Sequence, residues 1–281
     1  MHGTGAGLAA ILGSVTAEAG ASSTVAPRAP GWASFRPARS ARLQHFRSRT
    51  AWLGSPLLPV AVTLTWVPVV LLLDRGADVW FQRALGAATW PLLLALLRRE
   101  SPLVRAQVAV VVAFATVVEY TFSPLLEVYV YRLHNVPAFV PPGHGLVYLC
   151  ALAIGRSSWV VAHRLALMAV TVVVGGGYAA WGLVGSPRLD VLGAFWFLCL
   201  LGFLRWGRSQ TLYIGAFAVV TYLELLGTWL GTWAWQTQDP TGLVAIGNPP
   251  SGAAGGYGWF DLAAVLAGPI VLATVQTIRR S

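Results

Sequence analysis

Hydrophobic and polar positions are distributed along the chain in long blocks. From about residue 55 onward, apolar runs alternate with short polar segments rich in arginine, proline and glycine. A helix needs about 20 apolar residues to cross hydrocarbon. By that criterion the pattern predicts eight spans, at approximately 55–73, 78–97, 104–131, 143–156, 159–183, 189–204, 211–235 and 258–277. Residues 1–50 follow another pattern: Ala, Gly, Ser, Pro and Arg predominate, apolar periodicity is weak, and a disordered tail is expected. The expected fold class is all-α, a polytopic transmembrane helix bundle, with a first membrane half over 51–158 and a second over 159–281.

Composition supports a membrane reading. The chain is 56% hydrophobic and only 10% charged, with a mean hydropathy of +0.66, whereas soluble domains carry roughly 25% charged residues. The net charge of +9 comes from 19 arginines without a single lysine. These are spread over the ends and the short connections rather than gathered on one face, which excludes nucleic acid as a partner. Their alternation orients the bundle. With the tail inside, fifteen arginines fall on the inner side, and only Arg75, Arg83, Arg132 and Arg188 on the outer side. The positive-inside bias then places both termini in the cytoplasm and the protein in the inner (plasma) membrane. Cys150 and Cys199 lie in apolar runs without a CxxC and read as buried free thiols.

Two regions on the outer side look alike. Glu119 is followed by Tyr129-Val-Tyr131 and then Pro141-Pro142-Gly143; Glu224 is followed by Trp233-Ala-Trp235 and then Pro249-Pro250-Ser-Gly252. The glutamates are 105 residues apart, which fits two parallel repeats of four helices each.

Ionisable groups inside hydrocarbon are costly and call for a reason. Glu119, Glu127, Glu224 and Asp261 are the candidates. Glu127 lies past the kink expected at Pro124 and, on a continued helix, shares a face with Tyr131 and Tyr120. In span seven Glu224, Gly227, Gly231 and Trp235 share a face, and Gly227 and Gly231 form a GxxxG spacing that allows close helix approach. The stretch "HNVPAFVPPGH" is expected to be a rigid, proline-stiffened cap that holds His134 and His144 over the mouth of a polar pocket. That pocket would be lined by Glu127, Tyr131 and Asn248. The glycine-rich stretch "GNPPSGAAGGYGWFD" fits a re-entrant lid or a plain surface loop. His134, His144 and Glu127 would make a two-histidine, one-carboxylate set, but the ten-residue histidine spacing matches no metal signature. No metal or cofactor is expected.

The stretch "ELLGTWLGTWAW", followed by a proline-rich outer loop, resembles polytopic membrane proteins of carotenoid biosynthesis, of the hydratase and cyclase type. It covers about 40 residues in each half. "VPPGH" and "GNPPSG" depart from that pattern, and the chain equally resembles bacterial membrane proteins of unknown function. The resemblance implies an apolar polyene substrate and acid catalysis, with Glu127, Glu224 and Asp261 as candidate acids and His144 beside them. Glu119, Tyr131, His134, Trp233, Trp235 and Asn248 would bind substrate. Three functions therefore compete: an intramembrane enzyme acting on a lipid or isoprenoid, a proton-coupled transporter or lipid carrier, and a non-catalytic scaffold. The bilayer and an apolar lipid or isoprenoid ligand are the expected partners, and oligomeric state stays open.

Overall fold

The computed structural model describes residues 55–280; the tail expected over 1–50 lies outside the described residues. Helices α1 (Leu58–Asp74), α2 (Val79–Leu97) and α3 (Pro102–Tyr120) lead through a π-turn, Thr121–Leu125, into strand β1 (Tyr129–Tyr131). Then come α4 (Val140–Arg156), the short α5 (Ser158–Ala162), α6 (Arg164–Val184), α7 (Val191–Trp206), α8 (Gln210–Leu230), strand β2 (Trp233–Trp235) and α9 (Ala253–Ile278). Among the described residues, four helical segments are long and apolar enough to cross a membrane: Pro102–Leu125, α6, α8 and α9. The shorter α1 and α7 are also apolar.

The core forms around α4, in which twelve of seventeen residues are buried. Leu146, Leu149, Cys150 and Ala151 of α4 pack with Leu212, Ala216, Val219 and Val220 of α8, and with Val104, Val108 and Val111 of α3. Small residues let the helices approach. A Cβ at Gly215 would fall 2.4 Å from the Ala151 carbonyl oxygen, and one at Gly255 would fall 1.8 Å from that of Trp196.

Two expected spans end earlier than the hydrophobic pattern indicated. Span three was expected to continue to residue 131, but the α-helix stops at Tyr120. Pro124 lacks an amide donor and crowds the preceding turn. The chain widens there into i+5 bonding, with the Leu126 amide donating to Thr121 O at 2.9 Å. It then turns through Glu127 at φ +50°. Span seven was expected to reach residue 235, but α8 closes at Gly231, φ +73°, where the Thr232 amide returns to Gly227 O at 3.0 Å. This is a Schellman-type end, for which glycine carries no Cβ penalty.

Both aromatic pairs therefore lie on strands, not on helix ends. β1 and β2 pair antiparallel in the register Tyr129↔Trp235, Val130↔Ala234, Tyr131↔Trp233. Side chains alternate along a strand, so all four aromatic rings fall on one face, and all four are buried. The bundle thus carries a two-stranded sheet that an all-α reading omits.

The loops that follow β1 and β2 are tied down by buried aspartates. Asp74 accepts from Gln82 Nε2 at 2.7 Å and lies 3.5 Å from Arg132 Nε. Gln82 Oε1 in turn accepts from Asn135. In the second loop Asp190 accepts from the amides of Gly193, Gly247 and Ser251 at 2.6–2.9 Å, while Arg188 donates to the carbonyls of Ile246, Trp235 and Gln236. Two expectations about these loops need correction. "VPPGH" is not loop but the first turn of α4, with proline in the opening positions where its missing amide costs nothing. In "GAAGGYG" Gly252 is the N-cap of α9 and the other glycines lie inside that helix, where Gly255 and Gly258 face Trp196 and Phe203 of α7.

Candidate functional site

The two-stranded sheet brings both glutamates to one place. Glu119, one residue before the end of α3, accepts at Oε2 from the Tyr129 hydroxyl at 2.9 Å and the Tyr131 hydroxyl at 2.8 Å. Glu224, two turns before the end of α8, accepts at Oε2 from the indoles of Trp233 and Trp235, each at 3.1 Å. Each carboxylate thus receives two aromatic donors from the strand that follows its own helix. Across the sheet the donors touch, with the Tyr129 and Trp235 rings 4.5 Å apart and those of Tyr131 and Trp233 6.1 Å apart.

The bonding sets where protons are shared. An indole N–H only donates, so Glu224 Oε2 must be an acceptor. Glu119 has its second oxygen, Oε1, 2.8 Å from His144 Nε2. Whether drawn as carboxylate and imidazolium or as acid and imidazole, one shared proton lies on that line. His144 is held in place by Tyr257, stacked at 5.2 Å, and Phe260, edge-on at 5.2 Å.

These groups line a cavity of about 630 Å³ whose remaining wall is almost wholly apolar, with Trp66, Val70, Phe122, Phe139 and Trp196 among its surfaces. Ligand cavities typically span about 300–1,000 Å³, lined by apolar side chains with a few convergent polar groups. Some of its edge residues, Phe114, Leu126 and Trp259, are exposed on the flank of the molecule.

Of the residues singled out from the sequence, Glu119, Tyr131, His144, Glu224, Trp233 and Trp235 meet at this cavity. Four others do not. Glu127, expected beneath the cap beside Tyr131, is exposed, because the π-turn and its positive φ rotate it away from the helix face it would otherwise occupy. His134 is exposed in a turn at φ +54° while His144 is buried on α4, so no His–His–Glu127 set assembles. Asn248 is a strut: its Oδ1 accepts from the Trp235 amide at 3.0 Å. Asp261 is buried one turn beyond Tyr257 on α9 and borders a separate, smaller cavity. Gly227 and Gly231 do not form a helix-approach surface either. A Cβ at Gly227 would fall 1.9 Å from the Trp233 ring, so this glycine makes room for the indole that reaches Glu224.

Two site residues escaped the sequence reading. Tyr129 belonged to the visible aromatic pair, and strand alternation would have put it on the same face as Tyr131. Tyr257 sits among glycines with no periodic signal pointing to it. No family model, curated protein or solved structure matches the chain.

Proposed function

We propose that this is a multi-pass plasma-membrane protein that admits a lipid or isoprenoid from the bilayer and performs acid–base chemistry on it at the Glu119–His144 pair. The observation that carries this reading is a proton-sharing carboxylate–imidazole pair in the wall of a large apolar cavity. A proton held in an apolar site is available to a weakly basic substrate such as a carbon–carbon double bond, since little water competes for it. The faces of Trp66, Trp196, Tyr257 and the strand aromatics would stabilise the cation that results. Glu224 lies in the same wall as a second acceptor, and the exposed Phe114, Leu126 and Trp259 suit entry from lipid.

The same reading takes the chain as eight spans in two parallel repeats with both termini cytoplasmic. Asp78 and Asp190 each cap the helix that precedes a glutamate-bearing helix, and each glutamate then takes its own strand's aromatic pair. These correspondences, with the arginine alternation, support a duplication. The resemblance to carotenoid-biosynthesis membrane proteins agrees in substrate chemistry.

The test is lipid and pigment extraction from a deletion strain. An apolar precursor should accumulate and be consumed on complementation with the wild-type gene, but not with E119Q or H144A. An unchanged lipid profile in the deletion strain would overturn the proposal.

A further inference from the structure

Asp261 takes no part in the chemistry above, yet it is a buried acid close to it. Its Oδ2 has no hydrogen-bond partner among the described residues, and neither has the buried hydroxyl of Tyr148. Both side chains border a second cavity of about 10 Å³, together with His144 and Tyr257. A single water needs about 10–15 Å³ and two to four polar partners. Two orphaned polar atoms around a space of that size form such a site; a dry site would leave each of them with the full cost of desolvation.

His144 borders both cavities. Its Nε2 is committed to Glu119, so Nδ1 is its remaining polar atom. Tyr257 also lines the small cavity and stacks on His144, and the imidazole supplies the third partner of the small site.

We propose that the small cavity holds one water bonded to Asp261, Tyr148 and His144 Nδ1, and that this water joins Asp261 to the Glu119–His144 pair as a proton reserve. The reserve rests on the functional reading above; the water site does not. The transfer balances without a co-reactant. The Asp261 carboxyl gives its proton to the water, and the water gives one to His144 Nδ1. His144 releases its Nε2 proton to Glu119 Oε1. Asp261 ends as carboxylate and Glu119 as acid, and the path runs backward when product returns a proton. Asp261 and Tyr148 are thus positioning residues that act through His144. The other ionisable groups near this imidazole are Glu119 from α3, Glu224 from α8 and Tyr257 from α9.

The experiment is solid-state NMR of the full chain in lipid bilayers with ¹⁵N-labelled histidine, the His144 signals being assigned by their loss in H144Q. D261N should displace the Nδ1 resonance by more than its linewidth and leave Nε2, which reports the Glu119 contact, nearly in place. Y148F should move Nδ1 in the same direction by less. If Nδ1 stays put in both variants, the connection is absent and the proposal fails. Should D261N not fold, Y148F alone decides. The readout needs no turnover: a displaced Nδ1 together with an unchanged lipid profile would overturn the functional reading and keep the water site.

Discussion

Replacing Glu224 in two ways separates its role as a hydrogen-bond acceptor from its charge. Glu224→Ala leaves the indole N–H groups of Trp233 and Trp235 without their acceptor. An unsatisfied buried donor costs about 1–3 kcal/mol, so the two together cost about 2–6 kcal/mol. The indoles line the large cavity, and water reaching them there would bring the cost toward the lower figure. Glu224→Gln is different. Its amide oxygen can take the position of Oε2 and accept from both indoles, while its NH₂ group can turn to Tyr257, whose hydroxyl accepts as readily as it donates. That variant should stay within about 1 kcal/mol of the wild type, the ordinary range of a net hydrogen-bond difference. The assay is thermal unfolding in detergent, on chains that all carry Cys199→Ser because Cys199 is only half-buried, followed with a thiol-reactive fluorogenic dye; the remaining thiol, Cys150, is fully buried and becomes reactive only on opening. At about 2–4 °C per kcal/mol for chains of this length, the alanine midpoint should fall by at least about 4 °C, and the glutamine midpoint by clearly less. Equal losses in the two variants would mean that charge rather than acceptance holds the indoles, and the reasoning would fail. So would an alanine variant as stable as the wild type.

Three further outcomes follow from particular side chains. Gly227→Ala drives a methyl into the Trp233 ring, where a Cβ would fall 1.9 Å away; overpacking of that kind costs about 1–3 kcal/mol, read by the same dye assay and accompanied by a changed indole fluorescence. Glu127→Gln should leave both the unfolding midpoint and the lipid profile of the complemented deletion strain unchanged, because Glu127 is exposed and does not line the cavity. In the loop that follows β2 the Thr241 hydroxyl and the Val244 amide hold the Asp239 carboxyl below its usual range. A depressed carboxyl lends stability above its unfolded value and loses it as the pH falls. Hydrogen-exchange protection of the Leu243 and Val244 amides, which donate to Asp239 Oδ1, should therefore be flat near neutrality and decline on acidification, and D239N should abolish that decline.

The apolar blocks located the helices well because burial in a bundle or in lipid asks only for length and hydrophobicity, and both can be read locally. What they concealed was where helices stop. Between Glu119 and Tyr131 every residue is compatible with a hydrophobic helix except Pro124. One proline predicts a kink as readily as an end, and here it produces a π-turn and then a strand. Gly231 had the same ambiguity, since a glycine four residues after another reads as a packing motif until its positive φ is known. Glu127 was misplaced for this reason alone: on a straight helix it faces Tyr131. Glu119, Glu224 and the aromatic pairs were legible from cost and repetition. Tyr257 was not, because its place depends on α9 beginning within the glycine-rich stretch, where local propensity opposes a helix and packing against Trp196 and Phe203 overrides it.

The sheet is what makes one site out of two helix–strand units. Glu119 and Glu224 sit on different helices, and neither carboxylate bonds the aromatic donors of the other strand. Their connection runs through the six residues of β1 and β2, whose cross-strand register sets Tyr129 against Trp235 and Tyr131 against Trp233. Because side chains alternate, a slip of one residue on either strand would turn its two aromatic donors to the opposite face and strip its carboxylate of both. A sheet of two three-residue strands has little stability of its own, so the register must be held from outside. The Asn248 bond to the Trp235 amide, the Arg188 bonds to the carbonyls of Trp235 and Gln236, and the Arg132 amide bond to Thr232 O all grip the strands or their ends. The loops that follow the two strands therefore serve the site at a distance. Their prolines, their buried Asp74 and Asp190, and Asn248 touch neither carboxylate, yet they hold the strand geometry on which both carboxylates depend.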